Sequence, residues 1–370
     1  MSLRLPLLVM ASALSTASLW SDPIGEYAQT NLVSDIPGLA AQTDPNLVNP
    51  WGIAASATSP FWISDNGSGL TTLYNSAGTP QSLVVTIPGP GTGASSPTGQ
   101  VFNGSGQFNG DNFIFATEDG TIAGWRGALG TKAETLFNNS SSGAVYKGLA
   151  LGTTGQGTYL YAANFHNNSI DVFPSSGAPT LAGKFADPNL PAGYAPFNVQ
   201  NIGGQLYVTY AKQNATGHDD VAGAGNGFVS IFDLNGNFVK RLASNGSLNS
   251  PWGLALAPSG FGAVGGDLLV GNFGDGQINA FGLDGTFVGT LAGLNGLPLV
   301  NEGLWALTFG NGGNGGSANS LYVTAGLNGE TDGLFARVDA VPEPGTFCLL
   351  AVSFSVLALV PFRRTTQKRM

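Results

Sequence analysis

Cysteine is nearly missing: the 370 residues hold a single one, Cys348, close to the C-terminus. A disulfide framework and a thiolate metal site are thereby excluded from the rest of the chain, whose stability must come from its core. Histidine is almost as scarce, and with only His166 and His218 present a multi-histidine zinc or copper centre is not expected. Charged residues make up 9% of the chain, and positive charge is the scarcer sign, with 13 Lys and Arg against 22 Asp and Glu. An acidic surface repels the nucleic acid backbone, so no nucleic acid partner is expected. Long helical patterns are lacking. So is a Gly-x-Ser-x-Gly elbow between strand and helix: Asn66-Gly67-Ser68-Gly69 and Asn103-Gly104-Ser105-Gly106 are simpler as hairpin turns. The glycine-rich run 310–316 lacks the Lys-Ser/Thr ending of a phosphate loop, and no nucleotide is implied.

What the chain does have is glycine, 56 residues of it, with 22 Phe, 9 Tyr and 6 Trp recurring among Val, Leu and Ile. That combination predicts many short strands joined by tight turns rather than disorder. One phrase of about fifty residues repeats six times, opening at Trp51-Gly52, Thr98-Gly99, Lys147-Gly148, Phe197-Asn198, Trp252-Gly253 and Leu304-Trp305. Each opening precedes a β run such as Phe61–Asp65 or Tyr159–Ala162, then a third strand such as Leu70–Tyr74 or Phe228–Phe232. Asn235-Gly236 and Asp284-Gly285 between apolar runs read as hairpin turns into a fourth strand. Four strands per period predict an all-β, six-bladed β-propeller. The last unit lacks a fourth strand after Val338, and Thr30–Ile36 is expected to supply it and close the ring.

The termini read as addresses. Arg4 precedes the apolar stretch Leu5–Leu14, and the small residues Ala17, Ser18 and Ser21 offer cleavage positions, which predicts a signal peptide over 1–21. The propeller then occupies 22–340. The segment 341–370 holds Pro342-Glu343-Pro344, an apolar run from Phe347 to Val360, and the cations Arg363, Arg364, Lys368 and Arg369. Fourteen residues are short of the roughly 20 of a stable span. This tail resembles the PEP-CTERM sorting signal of Gram-negative bacteria, with its Pro-Glu-Pro box, short transmembrane helix and basic end. The resemblance implies recognition of Pro342, Glu343 and Pro344 by an exosortase, an inner-membrane intermediate held by the helix, and delivery to the cell surface or extracellular matrix.

The phrases Tyr159–Phe173 and Asp267–Phe281 resemble the NHL and lactonase-like propeller superfamily. The opening units, with Asn31–Asp35 and Asn49–Gly52, look like an uncharacterised family of exported bacterial propellers. In a propeller the turns entering the innermost strands, and those between second and third strands, share the mouth of the central channel. This places Asp65, Asn66, Glu118, Asn164, His166, Asn272, Asn301 and Glu302 at the mouth as binding candidates, with Asn49, Asp119, Lys147, Asn198 and Lys212 beside them. Lactonases of this fold hold one divalent ion there, and the resemblance implies Glu118, Asn164, Asn272 and Glu302 as candidate oxygen ligands for Ca or Mg. His166 is the one candidate general base. Asn and Asp also close β-turns through their own side chains, so the same positions fit a purely structural role. The insertion 211–227, with His218, Asp219 and Asp220, is too long for a β-turn and fits a lid, a calcium clip or a disordered loop. Trp51, Trp252 and Trp305 are expected to pack between blades, an aromatic rim for sugar rings being the alternative. The expected function is a surface or matrix module that binds an extracellular polysaccharide or a surface protein. A metal-assisted lactonase-type hydrolase and a structural biofilm component are the alternatives.

Overall fold

The computed structural model describes residues 23–342. The signal segment 1–21, and the tail from Glu343 on with Pro344 and the apolar run, lie outside the described residues. Within the described residues no helix is long and apolar enough to cross a membrane.

The chain folds as an all-β, propeller-like array. Its first sheet runs Pro50–Ala54, Phe61–Asp65, Leu70–Tyr74 and Val85–Thr86, and the second Pro97–Phe102, Phe113–Thr117, Thr121–Trp125 and Glu134–Asn138. A three-stranded sheet follows, Tyr146–Thr154, Gly157–Asn164 and Ser169–Pro174, then a four-stranded one from Tyr194–Ile202 to Phe238–Ser244. A nine-stranded sheet holds the rest. In it Pro251–Leu256, Leu268–Asn272, Ile278–Phe281 and Phe287–Gly293 are joined through the N-terminal strand Pro23–Ser34 to Asp332–Ala340, Ser320–Gly326 and Leu304–Phe309.

Successive first strands pack on one another, and Leu304–Phe309 packs on Pro50–Ala54, so the array closes on itself. The cores lie between the sheets, because a twisted strand array with apolar residues on both faces can bury them only against its neighbours. One cluster joins Ile114 and Ile122 of the second sheet to Leu149 and Leu160 of the third. Another joins Val229 and Ile231 of the fourth to Leu268 and Val270. A further one joins Phe61, Ile63 and Tyr74 to Tyr322 and Phe335, across the seam where the ends of the chain meet.

The strand that closes the seam is longer than the expected Thr30–Ile36. Pro23–Ser34 pairs antiparallel with Asp332–Ala340 and, through its first residues, parallel with Phe287–Gly293. It is pinned by a reciprocal amide pair, in which Gln29 Nε2 donates to Asn301 Oδ1 at 2.8 Å and Asn301 Nδ2 donates to Gln29 Oε1 at 2.9 Å. Ser34 Oγ donates to the Gly333 carbonyl at 2.6 Å. The third unit departs from the four-strand expectation. The stretch after Ser169–Pro174 carries Pro179, Pro188 and Pro191, and a residue without an N–H cannot extend a ladder. Instead Phe185 inserts beside Phe232, and Asp187 accepts from Ser230 Oγ at 2.6 Å and Arg241 Nε at 2.7 Å.

Each of the six first strands has a register shift at its opening: between Pro50 and Ile53, Pro97 and Gln100, Tyr146 and Gly148, Pro196 and Asn198, Pro251 and Gly253, and Leu304 and Leu307. A bulge re-aims the side chain that it carries. The residues inside the shifts include Trp51, Thr98, Lys147, Phe197, Trp252 and Trp305, one per unit. The glycine that follows is needed for close approach: a Cβ on Gly99 would lie 2.4 Å from Leu149 N, and one on Gly148 2.2 Å from Asn198 Oδ1. Where the fourth unit has Asn198 instead, its Nδ2 donates to the Trp252 carbonyl at 2.8 Å and ties the two strands together.

Candidate functional site

The six bulge residues are all buried, and four of them are aromatic. Trp51 stacks on Trp305 with centroids 3.5 Å apart, Phe273 stacks on the other side of Trp305 at 4.1 Å, and Trp252 meets both tryptophans edge-on. Two indoles are also hydrogen-bonded, Trp252 Nε1 to the Lys147 carbonyl at 3.1 Å and Trp305 Nε1 to Asn49 Oδ1 at 3.0 Å. The tryptophans therefore form a plug on the axis, not an exposed rim for sugar rings. On one side of the plug is a cavity of about 340 Å³ lined by strand residues such as Ile53, Gln100, Leu151 and Gln200, with Trp252 against it. On the other side is the mouth.

Lys147 is the one cation among the bulge residues, and only 2% of it is exposed. Its ammonium lies 5.2 Å from the Trp51 ring centroid, donates to Glu118 Oε1, and stands 3.7 Å from Asp219 Oδ1. Glu118 Oε2 accepts from Asn66 Nδ2 at 2.9 Å. Asn49 Nδ2 donates to Asn66 Oδ1 at 3.4 Å and to Glu330 Oε2 at 2.8 Å. On the far side, Asp219 Oδ1 is 2.7 Å from His218 Nδ1. A polar chain thus crosses the mouth from the Trp305 indole through Asn49, Asn66, Glu118 and Lys147 to the 211–227 insertion.

That insertion is folded onto the mouth. Asp220 bridges back to Gln213, and Gln213 Nε2 donates to the Phe165 carbonyl at 2.6 Å. Burial raises the Asp220 carboxyl, with the Ser250 hydroxyl and Lys147 opposing and Asp219 adding to the rise. Glu330 is raised by burial first, with the Asn49 bond lowering it and Glu118 raising it further. Its backbone sits in the left-handed region at φ 70, after Asn328 and Gly329 in the same conformation. Burial first, and a neighbouring acidic group second, thus hold the Asp220 and Glu330 carboxyls above the usual range.

Of the mouth candidates, Asn66 and Glu118 come together, with Asn49 and Lys147. The others do not join them. Asp65 is fully buried and offers no oxygen to a ligand. Asn164 closes its own turn, its Oδ1 accepting from Val145 N and Asn167 N while its Nδ2 donates to Asp171. Asn272 donates to the Ser247 carbonyl and Asp275, and its Oδ1 is enclosed. Asn301 belongs to the strand clasp described above. Glu302 is exposed and accepts from Gly329 N at 3.2 Å. His166 is exposed at the foot of the insertion, where a Cβ on Gly217 would lie 3.1 Å from its Nδ1.

The set Glu118, Asn164, Asn272 and Glu302 therefore does not fit a single Ca or Mg ion: the four are tied to different partners, and an ammonium already occupies the face of Glu118. Among the described residues the group with metal-compatible spacing is Glu118, His218 and Asp219, whose ligand atoms lie within 4.8 Å of one another. Lys147 neutralises two of these three. The sequence reading missed Glu330 and gave Lys147 no special place. The signal for Lys147 was there, since it occupies the repeat position that Trp51, Phe197 and Trp252 fill elsewhere.

Asp65 yields a pH prediction. Burial, with the charge of Asp44 adding and a Thr72 hydrogen bond opposing, pushes its carboxyl well above the usual range. A raised value in the folded state means that the fold holds its proton more tightly than the unfolded chain does. Stability is then fully present below about pH 4, the unfolded value, and falls as pH rises toward the folded one. Asp65→Asn is expected to be more stable than wild type at pH 7, with the gap closing toward pH 4. Thermal melts across that range test this, and a variant less stable at pH 7 would overturn it.

No protein-family model matches the chain. "Uncharacterized protein R648" of Acanthamoeba polyphaga mimivirus is 35% identical over 324 residues, covering 83% of this chain and 78% of that protein. "Uncharacterized protein L690" of the same virus is 34% identical over 321 residues, covering 82% of this chain and 83% of that protein. Among solved structures, a structural-genomics protein of unknown function from Bacteroides thetaiotaomicron superposes with a TM-score of 0.52 at 15% identity, covering 85% of this chain and 77% of its own. At that identity the likeness concerns the fold alone.

Proposed function

The chain belongs to the family that contains the mimivirus proteins R648 and L690, and we propose that it is an exported six-bladed β-propeller that binds a ligand or partner protein through its mouth without turning it over. The observation that carries this reading is the state of the mouth. Its floor is a packed aromatic plug, its one buried cation is already neutralised by Glu118 and Asp219, and a folded insertion lies across it. Such a surface is preorganised for docking, whereas a catalytic centre needs a free base or an open metal position. The ring of six first strands, with apolar cores between neighbouring sheets, supports the blade count. The acidic groups around the mouth suit a partner that presents positive charge, and their hydrogen-bonding oxygens suit the hydroxyls of a polysaccharide.

Export rests on the two terminal segments. In this reading residues 1–21 are removed, the 341–370 tail holds an inner-membrane intermediate, and an exosortase acts at Pro342-Glu343-Pro344 to release the propeller to the surface or matrix. The test is expression of the full chain in a Gram-negative host with and without an exosortase. The expected result is a shortened, surface-located product only when the enzyme is present, and none when Pro342, Glu343 and Pro344 are all replaced by alanine. A product that is shortened equally in both hosts would sink the sorting reading. For the mouth, the wild type and a form with residues 214–219 replaced by Gly-Ser are compared for co-sedimentation with the host's extracellular polysaccharide. Hydrolysis of a simple lactone by the wild type would replace the binding reading with the hydrolase one.

A further inference from the structure

A groove between the fourth and fifth units encloses a cavity of about 480 Å³, the size of a small-molecule site, and shares no residue with the mouth network. One wall is the end of Phe238–Ser244 with the turn that follows it, and the other runs from Asp275 to Phe287. The apolar part of the lining is Leu242, Phe281 and Phe287. Phe281 and Phe287 pair across their two strands with ring centroids 5.5 Å apart, and Phe287 is 38% exposed, an aromatic side chain that the fold leaves partly uncovered.

Asp275 is the one charged residue of the lining. Its oxygens accept from Gln277 N at 3.1 Å, from Asn249 Nδ2 at 3.3 Å, and from Asn272 Nδ2 at 3.1 Å and 3.3 Å, all neutral donors. Burial raises its carboxyl, these hydrogen bonds oppose the rise, and no cation of the described residues takes part. A carboxylate withdrawn from water is costly until it is paired, so the groove has a place for one positive charge. The strand Ile278–Phe281 lies between the carboxylate and the two rings, about 10 Å at the usual rise.

Both ends of the groove are closed. At the Asp275 end Asn245 Nδ2 donates to the Gly225 carbonyl at 2.7 Å, which holds Ala224 of the insertion against the cavity. At the other end the units touch, since a Cβ on Gly285 would lie 2.3 Å from the Leu242 carbonyl oxygen.

We propose that this groove binds a small organic cation, an amine whose charged head pairs with Asp275 and whose aromatic or aliphatic body lies on Leu242, Phe281 and Phe287. An anion would be repelled by Asp275. A peptide is a poorer occupant, because an extended chain has no way through a groove closed at both ends. The aromatic rings serve such a ligand twice, as apolar surface and as π-faces for a cation.

The probe is 4-phenylbutylamine, titrated calorimetrically into the full chain in phosphatidylcholine nanodiscs, with empty nanodiscs as the blank. The expected result is one amine bound per chain. Binding should weaken by about tenfold or more with 4-phenylbutanol, which has the same body and no charge, and with Asp275→Asn, as expected for loss of a charge-assisted hydrogen bond. Ser244→Trp changes an exposed lining residue, fills the groove and leaves the carboxylate in place. It should abolish binding with the thermal melt unchanged, so the result does not hang on whether Asp275→Asn folds. Replacing residues 214–219 by Gly-Ser should leave the affinity as it was, and a loss there would assign the amine to the mouth and overturn the proposal. Equal binding of amine and alcohol, unchanged binding by Ser244→Trp, or no binding of the amine would overturn it as well.

Discussion

Replacing Trp305 with alanine is expected to cost about 3–5 kcal/mol, a large fraction of the stability of an ordinary domain. Its indole is buried, sandwiched between Trp51 and Phe273, approached by Trp252 and Phe197, and hydrogen-bonded to Asn49. Removing it opens a void that the neighbours cannot readily fill, because Trp51, Phe197 and Trp252 are each fixed by a bulge on a separate strand. It also strands the Asn49 oxygen, one link of the mouth network. Trp305→Phe keeps most of the volume and loses the donor, so its cost should be about 1–3 kcal/mol. Urea unfolding of the two variants measures both figures, and an alanine variant within 1 kcal/mol of wild type would show that the plug is not a core.

The second large effect is expected at Lys147. Lys147→Met keeps the length of the side chain and removes the charge, leaving Glu118 and Asp219 facing each other without their shared cation. Breaking a buried pair in this way typically costs about 3–5 kcal/mol. The figure here should sit at the low end, because the Asp219 side chain is 62% exposed and can turn to water. Adding Glu118→Gln removes the stranded charge, and the double variant should recover a clear part of the loss. If the two substitutions are instead additive within about 0.5 kcal/mol, the pair is not coupled and the mouth network is decorative.

Much of the fold was legible in the sequence because each strand carries its own local instruction. Phe61–Asp65, Leu70–Tyr74 and Thr121–Trp125 stand where their apolar runs and flanking turns put them. The six openings could be aligned because close approach of neighbouring strands demands glycine at most of them. What could not be read was anything decided by partners far along the chain. Pro23–Ile24 is strand only because Thr290 and Leu291 lie beside it. The prolines after Pro174 tell against a fourth strand there, but they do not say that the fourth unit claims the stretch through Phe185 and Asp187.

The mouth was harder to read than the ring for a related reason. Asn and Asp recur at turns whether they close a turn or face a ligand, and sequence cannot tell the two apart. Asn164 and Asn272 close turns. Asn66 and Asn49 meet at the mouth end of the first unit. Lys147 was marked by its place among aromatic residues, a contrast visible only when the repeats are laid over one another. Glu330 gave no sign in advance, since its position depends on three consecutive left-handed residues that only Gly329 announces.

The N-terminal strand sets the timetable of folding. Residues 23–34 are made early in synthesis, and apart from the short pairing of Val33–Ser34 with Gln42–Thr43 their partners are residues 290–293 and 334–340, so the seam can form only when nearly the whole propeller exists. Contacts of such sequence separation are the slow ones, because the long loop must close before any of them can form. Residues 23–32 therefore wait for their ladder partners through most of synthesis, and the ring locks when its last strand arrives.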